Sequence, residues 1–138
     1  MSELTCTSSY VVGEGTFGSC SWAVYRGNIP VLLKKIKEGG KSELIREARA
    51  LQLLRHESIP LLFGVNTDHD ENLLVTQFCG YKGEDDNWKS MTVERALRRK
   101  VLADAMQWIQ PTVEMVETFQ FIHSKGWLHN DIKGTTFF

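Results

Sequence analysis

Between the strand-like runs "SSYVVGEG" and "SCSWAVYRG", the chain sets Gly13, Gly15 and Gly18 in a G-x-G-x-x-G frame. Two known arrangements bring the backbone amides of such a frame against phosphate. In a dinucleotide-binding fold the third glycine opens a helix. Here Gly18 is followed by β-branched and aromatic residues with no helical stripe. A strand–turn–strand hairpin fits instead, its amides lying over a nucleotide's phosphates as a flap. Taken alone, the frame is equally at home in an ordinary glycine-rich hairpin. Phe17 at its tip either shields phosphates from water or anchors the core.

The pattern around this hairpin predicts a mixed chain. A third apolar run, "IPVLLKKIK", follows, and after the break "EGGKS" the period changes to that of a helix, with Leu44, Ala48, Leu51 and Leu54 recurring through "ELIREARALQLLRH". Ser42 is the expected N-cap, with Glu43 in the first turn, where the helix dipole favours a carboxylate. "IPLLFGV" and "NLLVTQF" read as two more strands. "GYKGEDDNWKS" reads as a charged loop and the one candidate linker, ahead of the helical pattern "TVERALRRKVL". A further helix is expected over Ala105 to Ser124, with Val116, Phe119 and Ile122 on one stripe. Pro111 marks either its start or a kink, and Gly126 its stop. The order is five strands with one helix inserted, then two helices.

Bulk properties exclude several classes. The 138 residues suffice for one domain with a core, and 16 Lys and Arg against 17 Asp and Glu give a net charge of −1. Such a balance gives no general pull toward nucleic acid or anionic membrane. No apolar run approaches a membrane span, and "MSELTCTSSY" has no basic stretch leading into an apolar one. Cys6, Cys20 and Cys79 share no metal-ligand or redox spacing. Reduced thiols and a cytoplasmic location are therefore expected, with Cys20 and Cys79 as small apolar residues.

Three further features bear on chemistry. Lys34 ends an apolar strand sixteen residues beyond Gly18, and a phosphate oxygen is one destination for its ammonium. A solvated surface lysine is the plainer alternative. Glu47 shares the helical face of Leu44 and Leu51, so its carboxylate turns toward the core and needs a cation. Lys34 is a credible one, and the pair would orient the lysine toward phosphate. In "HNDIK", Asp131 is a carboxylate able to accept a hydroxyl proton and Lys133 a cation beside a transferring phosphoryl group. Alone, these five residues match any polar turn that follows a helix.

In this order and at these spacings, the features resemble the protein kinase family from Tyr10 onward. "GEGTFGSC" resembles its Gly-rich loop, "VLLK" its V-A-I-K strand, and Glu47 the glutamate of helix C. "LLVTQFCG" is similar to the fifth strand and hinge, with Thr76 at the gatekeeper position. "FIHSKGWLHNDIK" resembles the end of the long helix and the H-R-D loop. The resemblance implies an α+β kinase-like fold. Residues of about 10–80 would form a five-stranded antiparallel N-lobe with helix C, and about 81–138 the first helices of an incomplete C-lobe. It implies ATP and Mg²⁺ as cofactors and a protein as substrate. Gly13, Gly15, Gly18, Cys20, Lys34, Glu47, Thr76, Gln77 and Cys79 would bind nucleotide, the backbone of Gln77, Phe78 and Cys79 meeting the adenine edge. Asp131 and Lys133 would be catalytic, and a lysine two residues after the aspartate is typical of kinases acting on Ser or Thr.

Several positions depart from the family pattern. Cys20 stands for the usual valine and Leu32 for the small alanine beside adenine, which narrows the base pocket. Asn130 replaces the arginine of H-R-D, and Thr136 the asparagine that helps hold a metal. No D-F-G or A-P-E occurs in the 138 residues. A partial domain is expected, inactive by itself, with Val116, Phe119 and Ile122 open to a covering partner. The alternative expectation is a nucleotide-binding or pseudokinase-like regulatory module.

Overall fold

The computed structural model describes residues 4–15, 18–37, 39–68 and 72–133. Phe17 and Thr136 lie outside the described residues, as does the side chain of Cys6. One antiparallel sheet comprises β1 (Leu4–Gly15), β2 (Gly18–Tyr25), β3 (Ile29–Ile36), β4 (Leu62–Asn66) and β5 (Leu73–Gln77), in the spatial order β1-β2-β3-β5-β4. The helix α1 (Lys41–Leu53) joins β3 to β4. This is the five-stranded α+β arrangement that the sequence predicts.

Alternation along the strands divides the sheet into two faces. Ala23, Val31, Leu33 and Val75 form a buried cluster on one face, with Tyr25, Ile29, Phe63 and Leu73 packed around it. On the other face Ile36 and Leu74 meet Leu44 and Ala48 of α1, flanked by Leu51 and Leu62. The second face also carries Cys20, Trp22, Leu32, Lys34 and Thr76, because Cys20 pairs with Lys34, Trp22 with Leu32, and Leu32 with Thr76. The helix and the candidate nucleotide residues therefore share one side of the sheet.

The start of α1 differs from expectation. Gly40, not Ser42, is the N-cap, and its carbonyl accepts the Leu44 N–H at 3.0 Å. A Cβ at Gly40 would collide with the Ile36 side chain, so close packing on β3 fixes where the helix begins. Ser42 then falls inside the first turn, where its hydroxyl donates to the Glu43 carboxylate at 2.8 Å. That hydrogen bond holds the Glu43 carboxyl below the usual carboxylate range.

The segment expected as a loop is instead a small hairpin, β6 (Gly80–Lys82) with β7 (Trp88–Ser90). Its turn closes through Gly83 N–H to Asn87 O at 2.7 Å, with Asp86 at φ 63°. Lys82 reaches Asp86 at 2.6 Å and Lys89 reaches Asp85 at 2.9 Å. A two-stranded hairpin is marginal by itself. This one is anchored by Trp88, which stacks on Trp22 of β2 with centroids 4.8 Å apart and planes within 9°.

The helices α2 (Val93–Arg98) and α3 (Ile109–Ser124) follow, with a 3₁₀ turn at Met106–Trp108 between them. The Thr92 hydroxyl caps α2, accepting the Arg95 N–H at 3.2 Å. This helix is shorter than its sequence pattern. Lys100 turns to φ 51° and the Val101 N–H bonds Ala96 O, which closes the helix with a Schellman turn. Pro111 stands in the first turn of α3, where its missing N–H leaves no bond unmade. Gly126, at φ 77°, ends α3 in a second Schellman turn, as the sequence predicts. Ile122 and Thr118 are buried, Phe119 is half-buried and Val116 is exposed, so the expected stripe is only partly covered. His56, after α1, packs on Phe121 at 5.0 Å and ties the sheet to α3. No helix among the described residues is long and apolar enough to cross a membrane.

Leu44 is fully buried between α1 and the sheet, whereas Leu53 at the end of the same helix is 59% exposed. Urea denaturation should therefore show Leu44→Ala losing about 2–5 kcal/mol and Leu53→Ala no more than about 0.5 kcal/mol. Equal losses would contradict the assignment of this core.

Candidate active site

The glycine hairpin runs from β1 into β2, with Gly15 opposite Gly18. A Cβ at Gly18 would strike the Lys35 carbonyl oxygen on β3, so packing alone demands glycine there. Gly13 is different. A Cβ at this position would have no neighbour within 4 Å. Its small size leaves open space instead of relieving a clash.

Lys34 and Glu47 meet as the sequence predicts, Nζ to Oε2 at 2.6 Å. The period of β3 puts Lys34 on the α1 side of the sheet, and Glu47 lies between Leu44 and Leu51 on the packed stripe of α1. Their side chains are 31% and 38% exposed. At that solvent access the pair contributes about 0–1 kcal/mol to stability, so its main consequence is orientation. Cys20 lies directly opposite Lys34 on β2. Burial pushes its thiol pKa up, Lys34 opposes the shift and Glu47 adds to it.

Around the end of β5 the chain is tied down by its own bonds. The Gln77 N–H donates to Leu61 O at 2.8 Å, and its side-chain Oε1 accepts the Leu61 N–H at 3.3 Å. The Phe78 N–H donates to Pro30 O at 3.3 Å, and the Cys79 carbonyl accepts the Met91 N–H at 3.1 Å. Gln77 thus has a structural role, clipping β5 to the lead-in of β4. Thr76 is buried opposite Leu32. Leu32, Thr76, Phe78, Cys79 and Ser90 line a cavity of about 30 Å³. Burial also raises the Cys79 thiol pKa.

Sequence reasoning missed the aromatic wall beside this cavity. Trp22 stacks on Trp88, and Phe78 meets Trp88 edge-on at 5.7 Å with planes at 87°. The available signal was alternation, since Trp22 lies two residues beyond Cys20 and so on the same face of β2.

After α3, Asp131 and Lys133 come together, Oδ2 to Nζ at 2.9 Å. The Asp131 N–H donates to His129 Nδ1 at 3.3 Å. His129 sits edge-on to Phe119 at 5.8 Å. Asn130 adopts φ 58°, a left-handed conformation that Asn tolerates better than most residues. The Asp131 carboxylate is open to solvent at the end of a short constrained turn.

Two groups of predicted residues therefore form, one around Lys34 and Glu47 and one around Asp131 and Lys133. In the first group, the open space at Gly13 and the Lys34 ammonium held by Glu47 lie on one side of the sheet. Among the described residues no group of three or more His, Cys, Asp or Glu is placed to hold a metal ion. The implied Mg²⁺ thus has no protein-only site among these residues.

The protein kinase domain family matches residues 7–138. The chain is 26% identical over 132 residues to Kinase suppressor of Ras 2 of Homo sapiens, covering 93% of this chain and 13% of that protein. It is 27% identical over 127 residues to Tyrosine-protein kinase TXK of Homo sapiens, covering 88% and 22%. A receptor-like protein kinase of Arabidopsis thaliana, named for the leaf rust 10 disease-resistance locus, is 25% identical over 138 residues, covering 98% and 20%. The chain thus spans at most 22% of the length of these relatives. With the family matched over nearly its whole length, and a glycine hairpin, a strand lysine paired to a helix glutamate and an exposed loop aspartate in the matching order, the chain belongs to the protein kinase domain family.

Proposed function

We propose that this chain carries the nucleotide-binding and proton-accepting parts of a protein kinase that transfers phosphoryl groups from ATP to Ser or Thr hydroxyls of a protein. Residues of about 10–80 act as the nucleotide lobe and about 81–138 as the start of the helical lobe. The observation that carries this reading is the 2.6 Å Lys34–Glu47 pair beside the glycine hairpin. Glu47 holds the lysine ammonium toward the space that Gly13 leaves open, where phosphate oxygens would lie under the amides of Gly13, Gly15 and Gly18. Cys20, Leu32 and Thr76 pack against the base, and the chain between Gln77 and Cys79 borders it. Asp131 accepts the proton of the attacking hydroxyl, and Lys133, already 2.9 Å from it, offsets charge developing on the transferred group. Mg²⁺ would accompany the nucleotide's phosphates and lower their charge.

The preference for Ser and Thr rests on Lys133 alone. A second reading is a nucleotide-binding regulatory module without phosphoryl transfer. Asn130 in place of an arginine favours it.

Ligand binding to the folded state alone raises its melting temperature. Millimolar Mg²⁺-ATP should therefore raise the midpoint of the wild-type chain by about 2–4 °C for each kcal/mol of binding linkage. Lys34→Met should abolish most of that rise. An equal rise in both proteins would contradict the assignment of Lys34 to the phosphates.

The Cys20 thiol gives a second check. Its pKa is held up by burial, so its protonated form adds stability below the pKa of a free thiol, and that stability is lost as pH rises through the folded value. Lys34 is the neighbour that favours thiolate. Mass-resolved iodoacetamide labelling of Cys20 should accelerate only above the pH typical of an exposed thiol, and Lys34→Met should move that midpoint higher still. A midpoint that falls in the variant would show that Lys34 does not face Cys20.

A further inference from the structure

We propose that Tyr81 is a phosphorylation site whose phosphate is received by Arg99 and Lys89, tying the β6–β7 hairpin to the end of α2. The modifying enzyme is a tyrosine-specific protein kinase acting in trans. The inference stands apart from the nucleotide-binding reading above and does not depend on it.

The two faces of the hairpin have different surroundings. Lys82 pairs with Trp88, and Trp88 packs inward on Trp22. Tyr81 pairs with Lys89, so strand alternation sends both side chains to the outer face. There the Arg99 guanidinium lies over the Tyr81 ring, 4.2 Å from its centroid. The Arg99 side chain is exposed, but its backbone is held. Its N–H donates to Arg95 O at 2.9 Å, and the turn at Lys100 closes just beyond it. The Tyr81 hydroxyl has no hydrogen-bond partner among the described residues and is not sealed from solvent. A half-buried ring thus carries an accessible nucleophilic oxygen beside a fixed cation.

The local charges leave that cation over. Lys82 meets Asp86, Lys89 meets Asp85 and Arg98 meets Glu94, whereas Arg99 has no carboxylate partner among the described residues. An aromatic face attracts a guanidinium without neutralising it. A phosphoryl group on Tyr81 would bring about two negative charges and three acceptor oxygens. The guanidinium need only slide along the ring toward its oxygen to present a fork of donors to them. Lys89 stands on the strand directly opposite. Its pair with Asp85 is 38% and 48% exposed, so exchanging that carboxylate for phosphate costs little. Asp85 keeps the Asn87 backbone N–H and side-chain amide as donors, at 3.4 and 3.1 Å. In the reaction the Tyr81 Oη attacks the γ-phosphorus of Mg²⁺-ATP held by the modifying kinase. The new O–P bond forms as the bond to the β-phosphate oxygen breaks. ADP leaves, and the phenol proton passes to that kinase's base. Because Arg99 caps α2, its pairing with the phosphate joins the hairpin to that helix.

The test has two arms. In the first, the 138-residue chain is treated with Mg²⁺-ATP and a panel of receptor and non-receptor tyrosine kinase domains, and peptide mass spectrometry reads its three tyrosines. Tyr81 should be modified. Phosphate on Tyr10 or Tyr25 with Tyr81 left bare, or on none of the three, would overturn the site. In the second arm phosphotyrosine is encoded genetically at position 81, which removes the choice of kinase, and ³¹P NMR follows its titration. Neighbouring cations favour the dianion, so its second pKa should fall at least about half a pH unit below the value of about 6 in a short peptide. Arg99→Gln should return most of that difference. Lys89→Gln should return part of it from the other element, which keeps the arm decisive if Arg99→Gln disturbs α2. A wild-type titration equal to or above the peptide's, or one that neither variant moves, would overturn the cradle.

Discussion

The two-residue period of β3 is the constraint on which the other features depend. Val31 and Leu33 enter one buried cluster while Leu32, Lys34 and Ile36 face the side covered by α1. A slip of one residue would put Lys34 into the apolar cluster and turn Leu33 toward α1, exchanging both cores together. The same hydrophobic alternation that stabilises the sheet therefore also places the ammonium. Pairing carries the order outward to Cys20 and Trp22 on β2 and to Leu74 and Thr76 on β5. Gly18 and Gly40 belong to this frame as well, since each lies too close to β3 for a side chain.

Charge plays a smaller energetic part than packing. Lys34 and Glu47 are both about one-third exposed, which limits their contribution to folding, yet their contact fixes where the lysine points. Stability comes from residues such as Leu44, Leu74 and Val31, whose side chains are fully buried. An orienting pair that adds little stability is one that a ligand can compete for without unfolding the lobe. The Asp131–Lys133 pair is even more open to solvent.

Much of this was legible in the sequence because it follows from local period and steric need. The strands, the position of Glu47 on the stripe of α1, its reach to Lys34 and the stop at Gly126 all come from spacing and backbone chemistry. Features set by tertiary contact were not legible in that way. Ser42 is a good cap by type, but packing of Gly40 on Ile36 starts the helix earlier. "GYKGEDDNWKS" looks like a linker by charge, and is instead a hairpin whose Trp88 stacks on Trp22, 66 residues away in sequence. The helix α2 stops short of its pattern because Lys100 takes a conformation usually left to glycine. The site followed the same division. The Lys34–Glu47 contact could be derived from strand and helix period, whereas the stack of Trp22 on Trp88 depends on a tertiary contact.

The central claim is that Lys34, set by β3 and oriented by Glu47, meets the phosphates of a bound nucleotide. Calorimetric titration of adenosine, ADP and ATP into the wild type and Lys34→Met tests it most directly. The account predicts that the wild type gains affinity with each added phosphate and that Lys34→Met loses this gain while binding adenosine as before. A gain that survives in Lys34→Met, or an equal loss for adenosine, would contradict it.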